Sequence, residues 1–468
     1  MRYLPVVDRA TVPARLAAPI GGSDHPAVRK AVILAAGHSS RMSHLSKGRS
    51  KAMLRIGGAT LLQRCVAALR TLELDELILV TGHDGHAVGR HARSVVGPAV
   101  EVVEAPAWRD GNGRSLEAAE ARVSGEDVFL VVTVDHVFAP RSLRDLVASG
   151  RPSVLVDRAP SADELAEGTK VILDGEHVLA LGKGLASSTI DCGAFVLTPA
   201  VFDAHREALR SGDASLAGAV SIFTSKQPLV AVDVAPDSWT DVDAPGDLRM
   251  ARRRLRRSLG KEGDGPVSTA LNRPISTRIS MALAHVRVSP DVVSVVVALG
   301  GLVAAALLAG GRGIAGGIAV QAVSILDGVD GELARLQLRT SARGAMIDGM
   351  LDRVVDAGVI AGLGVWAAAT HDPSSVIWLV VAALTGAMLS MASKDRAALL
   401  GLPRAPEAWI GRLLGGRDGR MLLIAIAAVV GQPLIGLGVV AVTSLVAVAI
   451  RVAYVLRAPS HVERSSRS

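Results

Sequence analysis

The sequence predicts two folds in tandem: an α/β domain built on a parallel sheet, then an all-α membrane domain of six transmembrane helices. Three observations predict this. Residues 1–262 alternate apolar and charged segments, whereas 290–457 hold nearly all the long uncharged runs. Within the first half, short apolar runs alternate with amphipathic stretches, the pattern of strands and helices in an α/β sheet. Within the second, four aspartates (Asp327, Asp330, Asp348 and Asp352) stand beside apolar runs of helical length. A chain of 468 residues can hold two or three domains, and a half-hydrophobic composition with only 3% aromatic residues suits helices of Ala, Val, Leu and Gly. The expected division is a leader over 1–28, an α/β domain over 29–258, a linker over 259–268, a membrane domain over 269–457 and a tail over 458–468.

The N-terminus, MRYLPVVDRATVPARLAAP, is broken by Pro, Asp and Arg before a continuous apolar segment forms, so it reads as a loosely docked leader and not a signal peptide. Cys65 and Cys192 are the only cysteines and have no metal-ligand spacing, which implies no disulfide framework and suits a reducing cytoplasm. The formal net charge is +7, with arginines gathered at 249, 252, 253, 254, 256 and 257, just before the membrane half. A juxtamembrane basic cluster meets anionic lipid headgroups, and no nucleic-acid motif accompanies it.

Ala31–Ala36 reads as a buried parallel strand leading into Gly37, His38, Ser39, Ser40 and Arg41. Backbone N–H groups of such a loop can cradle a triphosphate, with a nearby Arg and Lys51 neutralising its charge. An amphipathic helix is expected over Thr60–Leu72, and strands over Glu76–Thr81, Val100–Glu104 and Val128–Val134. Asp135 follows the last of these, at the carboxyl edge where ligands lie in open α/β sheets, although an aspartate there equally caps a helix. His136 stands beside it, whereas His38, His83, His86 and His91 read as ordinary surface or cleft residues.

LAAGHSSRM, SKAML and GGATLLQRCVAAL together resemble the nucleotidyltransferases that join a nucleoside triphosphate to a sugar, polyol or choline phosphate. The resemblance implies that Gly37, Ser39 and Arg41 bind the triphosphate and that Lys51 stabilises charge on its α-phosphate. It implies a Mg²⁺ site at Asp135 completed by Asp241, Asp243 or both, in the segment Trp239-Thr240-Asp241-Val242-Asp243. Many members have Gly where Ser39 stands and Pro where Ser50 precedes the lysine. Asp110-Gly111-Asn112-Gly113-Arg114-Ser115-Leu116 is similar to a segment of the cytidylyltransferases acting on inositol 1-phosphate, which makes Asn112, Gly113 and Ser115 candidates for reading cytosine. Gly168-Thr169-Lys170-Val171 and Asp191-Cys192-Gly193 resemble the same subgroup, with Lys170 contacting the acceptor phosphate and Asp191 among the substrate-binding residues.

Gly260–Pro266 is a polar, Gly-rich linker, and 269–286 an amphipathic basic stretch expected at the membrane interface. The apolar runs are Val292–Ala309, Ile314–Leu326, Val354–Ala369, Val376–Ala392, Met421–Val430 and Leu434–Val455. The shortest must extend into flanking polar helix to span a bilayer. Asp327 and Asp330 fall on one helical face, and Asp348 and Asp352 on a face of the next helix, so two acid pairs can converge across a hairpin. Ionisable groups at membrane depth are costly, and clustered carboxylates repel, which a divalent cation relieves; all-oxygen ligation points to Mg²⁺ or Mn²⁺ and not zinc. A solvated interhelical loop is the plain alternative.

Asp327-x-x-Asp330-Gly331-x-x-Ala334-Arg335, eight residues, then Gly344-x-x-x-Asp348-x-x-x-Asp352, is identified as the signature of the CDP-alcohol phosphotransferases. That resemblance implies a six-helix membrane enzyme in which an acceptor hydroxyl attacks the β-phosphorus of a CDP-alcohol and CMP leaves. It implies two metal ions on the four aspartates, Asp352 as general base, room for the nucleotide at Gly331, Ala334 and Gly344, and Arg335 among the substrate-binding residues. Arginines and lysines concentrate in loops on one side, so both termini and both active sites are expected in the cytoplasm of a multi-pass cell-membrane protein. The whole chain resembles enzymes that fuse an inositol-1-phosphate cytidylyltransferase to a CDP-alcohol phosphotransferase. The expected partners are CTP, a polyol phosphate, the CDP-polyol, membrane lipid and a second copy in a homodimer; nucleic acid is not among them. The expected product is di-myo-inositol phosphate phosphate. The rivals are the same chemistries with another headgroup or a lipid acceptor, and a six-helix transporter with a nucleotide-sensing domain.

Overall fold

The computed structural model describes residues 27–38, 42, 46, 48–98, 100–260, 264–286, 288–399 and 405–457. The chain divides into two compact units, Met1–His38 with Ala68–Trp239 and Ser39–Ala67 with Thr240–Ser468. The leader 1–26, the loop residues Ser39, Ser40 and Arg41, and the tail lie outside the described residues.

The first unit is organised by a nine-stranded sheet. Its strands are β1 (Lys30–Ala35), β2 (Glu76–Thr81), β3 (Val100–Glu104), β4 (Phe129–Thr133), β5 (Ser153–Asp157), β6 (Lys170–Asp174), β7 (His177–Gly182), β8 (Ile190–Leu197) and β9 (Val230–Asp233). They lie in the order β3-β2-β1-β4-β8-β5-β9-β7-β6. β1 pairs in parallel with β2 on one side and β4 on the other, and β2 in parallel with β3, while β8 runs antiparallel to β4 and β5. A parallel strand covered on both faces needs apolar side chains at successive positions, which is why AVILA and FLVV read as uninterrupted runs. The connections after β1 and β4 leave towards opposite neighbours, so the crevice at their carboxyl ends is where such a sheet binds ligands. Gly37 and Asp135 stand at those ends. Helices α1 (Ala200–Arg210) and α2 (Leu216–Thr224) pack Phe202, Leu216, Val220 and Phe223 into the core with Phe129 and Phe195.

In the second unit the 3₁₀ turn Lys51–Met53 and a two-strand hairpin (Arg55–Ile56 with Ala59–Thr60) accompany helix α3 (Pro245–Arg257). Gly57 and Gly58 make the hairpin turn at φ +54° and +84°, and a Cβ on Gly58 would meet the Ala284 carbonyl oxygen at 2.7 Å. α4 (Arg273–Leu283) falls in the amphipathic stretch. Six longer helices follow at the apolar runs: α5 (Pro290–Ala309), α6 (Gly313–Leu336), α7 (Ala342–Ala368), α8 (Pro373–Leu399), α10 (Arg417–Val429) and α11 (Pro433–Arg457), with short α9 (Ala405–Arg412) between α8 and α10. Among the described residues α5, α6, α8 and α11 are long and apolar enough to cross a membrane. α7 has the length but carries Arg343, Asp348, Asp352, Arg353 and Asp356, and α10 has 13 residues. The run ending at Leu326 does extend into polar helix, since α6 continues through Asp327 to Leu336.

Small residues sit between the helices and large apolar ones face outward. A Cβ on Gly317 would lie 2.6 Å from the Ala425 carbonyl oxygen, and one on Gly362 2.3 Å from that of Ala305, so only glycine permits these backbone approaches. Outside, Val296, Leu299, Val303, Ile314 and Trp378 are exposed, an apolar surface that fits lipid and not water.

Candidate functional site

In the first unit, β4 delivers Asp135 and His136, and β8 with the start of β6 delivers Asp191 and Lys170. The His136 Nδ1 is 3.0 Å from an Asp135 carboxylate oxygen and 2.6 Å from the Thr133 hydroxyl, and its ring stacks on Trp239 at 5.6 Å between centroids. Lys170 pairs with Ile190 in register, beside Asp191, and its ammonium donates to the Gly168 carbonyl at 2.9 Å. The Asp191 carboxylate accepts the Gly193 N–H at 2.8 Å. Burial raises the Asp191 carboxyl above the usual carboxylate range, against the opposing Gly193 amide and the nearby His136. Gly193 is at φ +71°, and a Cβ there would collide with Thr133 Oγ1 at 2.4 Å and the His136 ring at 2.8 Å. The irregular stretch of β8 at Asp191–Gly193 therefore lies directly against the end of β4.

The GNGRSL segment folds as a short helix, Asn112–Glu117. The Asn112 carboxamide oxygen accepts the Leu216 N–H at 2.7 Å, at the start of α2, and the Gly113 N–H donates to Ala214 at 3.0 Å. Ser115 is buried, and Gly113 lies against the His205 ring. Burial lowers the His205 pKa.

In the second unit Lys51 is buried and forms an ion pair with Asp243. Ser50 caps the turn that carries the lysine, its hydroxyl accepting Ala52 N–H at 3.3 Å. Asp247 accepts the N–H groups of Asp243 and Ala244 at 2.8 and 2.6 Å, which fixes the entry to α3.

α6 and α7 bring the acids of the membrane half together. Carboxylate oxygens of Asp327, Asp348 and Asp352 lie within 4.8 Å of one another, close enough to share one ion. Asp330 accepts the Ser294 hydroxyl and lines the same void of about 10 Å³. Three further residues, not read from the sequence, complete the cluster. Arg417 on α10 lies 2.5 Å from Asp327, 3.2 Å from Asp352 and 2.9 Å from Asp356. Arg420 lies 3.2 Å from Asp356, which is fully buried. Asp356 stands four residues beyond Asp352, so continuing the acid spacing by one turn was the signal for it. Five carboxylates thus sit around two guanidinium groups, an excess of negative charge on hard oxygen donors that fits divalent cations such as Mg²⁺. Gly344 follows the cap of α7, its N–H donating to Ser341 at 3.0 Å, and Arg335 donates to the Leu259 carbonyl at 2.9 Å.

Glu332, at an unassigned position of the aspartate motif, is also fully buried. It accepts Ser276 and Ser280 hydroxyls at 2.7 and 2.6 Å and the Arg273 guanidinium at 2.5 Å. Burial works against the charge on Arg273, but hydrogen bonds to Asp264 and Glu332 outweigh it and hold the guanidinium pKa above its ordinary value. This network joins α4 to α6 just beyond Asp330.

Removing one partner of a buried ion pair leaves an uncompensated charge, at a cost of about 3–5 kcal/mol. Asp356→Ala should therefore lower the thermal unfolding midpoint far more than the paired change Asp356→Leu with Arg420→Met. Equal midpoints would mean that the pair does not support the fold.

Residues 31–188 match the MobA-like NTP transferase domain family, and residues 287–452 the CDP-alcohol phosphatidyltransferase family. The chain is 37% identical over 415 residues to the bifunctional IPC transferase and DIPP synthase of Rubrobacter xylanophilus, covering 86% of this chain and 91% of that protein. It is 37% identical over 373 residues to the protein of the same name from Thermococcus kodakarensis, covering 78% and 82%. Among solved structures, the inositol-1-phosphate CTP transferase from T. maritima aligns with 49% of this chain and 96% of its own, at 22% identity and a TM-score of 0.45.

Proposed function

The chain belongs to the family of bifunctional IPC transferases and DIPP synthases, and from that premise we propose that it catalyses two successive transfers. In the first, a phosphate oxygen of inositol 1-phosphate attacks the α-phosphorus of CTP, giving CDP-inositol and pyrophosphate. In the second, a hydroxyl of another inositol 1-phosphate attacks the β-phosphorus of CDP-inositol, giving di-myo-inositol phosphate phosphate and CMP. The observation that carries this reading is the 37% identity extending over both halves, since the first half makes the donor that the second consumes.

For the first transfer, Gly37, Ser39 and Arg41 take the triphosphate and Lys51 stabilises charge at the α-phosphorus. Asn112, Gly113 and Ser115 read cytosine, while Lys170 and Asp191 meet the acceptor. Asp135, with Asp241, Asp243 or both, would hold a divalent ion. For the second, Asp327, Asp330, Asp348 and Asp352 would hold two Mg²⁺ or Mn²⁺ ions, whose charge would offset that of the diphosphate. Asp352 takes the proton of the attacking hydroxyl, and Gly331, Ala334, Arg335 and Gly344 accommodate the CDP portion.

Incubating purified protein with CTP, Mg²⁺ and a panel of polyol phosphates, then weighing the products, tests the reading. A product with another headgroup, or one formed only with lipid acceptor, would replace it, and failure to release CMP from CDP-inositol would favour a transporter. A homodimer and contact of the arginine-rich α3 with anionic lipid belong to the same proposal.

With six spans the arginine-rich loops would share a side with both termini, and the positive-inside bias then favours a cytoplasmic location for both sites. Cysteines introduced at His371 or Gln432, in the opposite loops, should then react with a hydrophilic maleimide only from outside the cell. Labelling at position 371 from the cytoplasmic side alone would overturn the six-span arrangement.

A further inference from the structure

Within the second unit, a cavity of about 370 Å³ lies between the segment before the hairpin and α3. It is lined by Arg49, Arg55 and Arg252 over an apolar floor of Met53, Leu54 and Leu248, with Ser46 also at its wall. Among the described residues no acid lines it, and none occurs in the sequence from Ser39 to Ile56. The Arg252 Nε is buried without a hydrogen-bond partner, although burying an unsatisfied charged donor costs free energy. Arg55 spends one nitrogen on the Gly58 carbonyl at 2.7 Å, which holds its guanidinium at the hairpin edge. Like charges converging on one cavity repel unless an anion joins them, and a guanidinium fork matches phosphate oxygens in pairs.

We propose that this cavity is a binding site for a small phosphate ester, held by Arg49, Arg55 and Arg252, and lined by none of Lys51, Asp243 or the four aspartates Asp327, Asp330, Asp348 and Asp352. Its volume admits a phosphorylated polyol or the headgroup of a phospholipid, and the apolar floor receives the body of either. The two walls are the segments that carry Lys51 and Asp243: Arg49 is two residues before the lysine, and Arg252 is on the helix that Asp243 leads into. An occupant therefore bridges them and reports to the Lys51–Asp243 pair without touching it.

The test is binding, which requires no assumption about the reactions. Full-length protein is placed in phosphatidylcholine nanodiscs, and ³²P-labelled inorganic phosphate is measured by equilibrium dialysis. The double variant Arg49→Gln with Arg252→Gln should bind at least about tenfold more weakly, Arg49→Lys with Arg252→Lys should recover most of the affinity, and the thermal midpoints should agree. Repeating the measurement in discs with one-third phosphatidylglycerol identifies the source. Binding by the parent protein that disappears there makes a lipid headgroup the occupant, and binding that persists makes it a soluble phosphate ester. Phosphate binding by the glutamine variant equal to the parent's in phosphatidylcholine discs would overturn the site.

Discussion

An Asp352→Asn enzyme should accumulate CDP-inositol. An alcohol is a poor nucleophile until its proton is taken, and the role proposed for Asp352, one helical turn from Asp348, is to take it. The amide keeps the shape and one acceptor oxygen but cannot hold the proton. CMP release from CDP-inositol should fall by about a hundredfold or more, the scale of lost general-base catalysis and about 2.7 kcal/mol of barrier. Donor binding should largely survive, and the first transfer should continue at the parent rate. Asp327→Asn or Asp330→Asn should instead weaken CDP-inositol binding and regain part of the rate in added Mg²⁺, so the two roles separate experimentally. Parent-rate turnover by Asp352→Asn would remove Asp352 from the proton step. Asp352 also meets Arg417, so a melting curve is needed beside the rate: a loss of rate with an unchanged midpoint is the chemical effect.

Lys51→Ala should produce the complementary failure, with no CDP-inositol made but supplied CDP-inositol still consumed. The lysine is held in advance by burial and by Asp243, so in the role proposed for it its charge would need no reorganisation as negative charge builds on the α-phosphate. Removing one preorganised electrostatic group costs about 10²–10³ in rate. Pyrophosphate release from CTP and inositol 1-phosphate should fall on that scale. Lys51→Met, which keeps the stem and loses the charge, should fall equally; activity retained by Lys51→Met would show that the stem, not the ammonium, matters.

The regular elements were the most legible part of the sequence. Glu76–Thr81 and Val100–Glu104 form strands at the limits expected of them: the first is an interior parallel strand whose apolar run ends at Thr81, and the second, VEVVE, is an edge strand whose valines end at Glu104. The helix expected over Thr60–Leu72 is shorter, Leu61–Leu69, since its last turn opens into a bend before the next strand. Spacing also indicated that Asp327 and Asp348 with Asp352 could approach one another, because helical periodicity is a local property. Pairings made at a distance carry no such mark. Arg417 meets Asp356 across 61 residues and Lys51 meets Asp243 across 192, and in the sequence Arg417 counts only as one more loop cation. Asn112 illustrates the other limit: its side-chain oxygen serves the start of α2, a partner 104 residues away that composition does not suggest.

The pairing of α7 with α10 also bears on how the chain enters the bilayer during synthesis. α10 has 13 residues, about 20 Å of helix against a hydrocarbon thickness near 30 Å, and it opens with Arg417 and Arg420. Asp356 sits inside the apolar part of α7, and one charge at the centre of a lone span costs about 2.5–3.5 kcal/mol on insertion scales. Neither helix is self-sufficient at the translocon, and each carries the charge that neutralises the other. The Asp356 charge on α7 is therefore uncompensated until α10, which follows α8 and α9 in the chain, is present. A chain that stops before Arg417 lacks both guanidinium partners of Asp356 and leaves its carboxylate uncompensated.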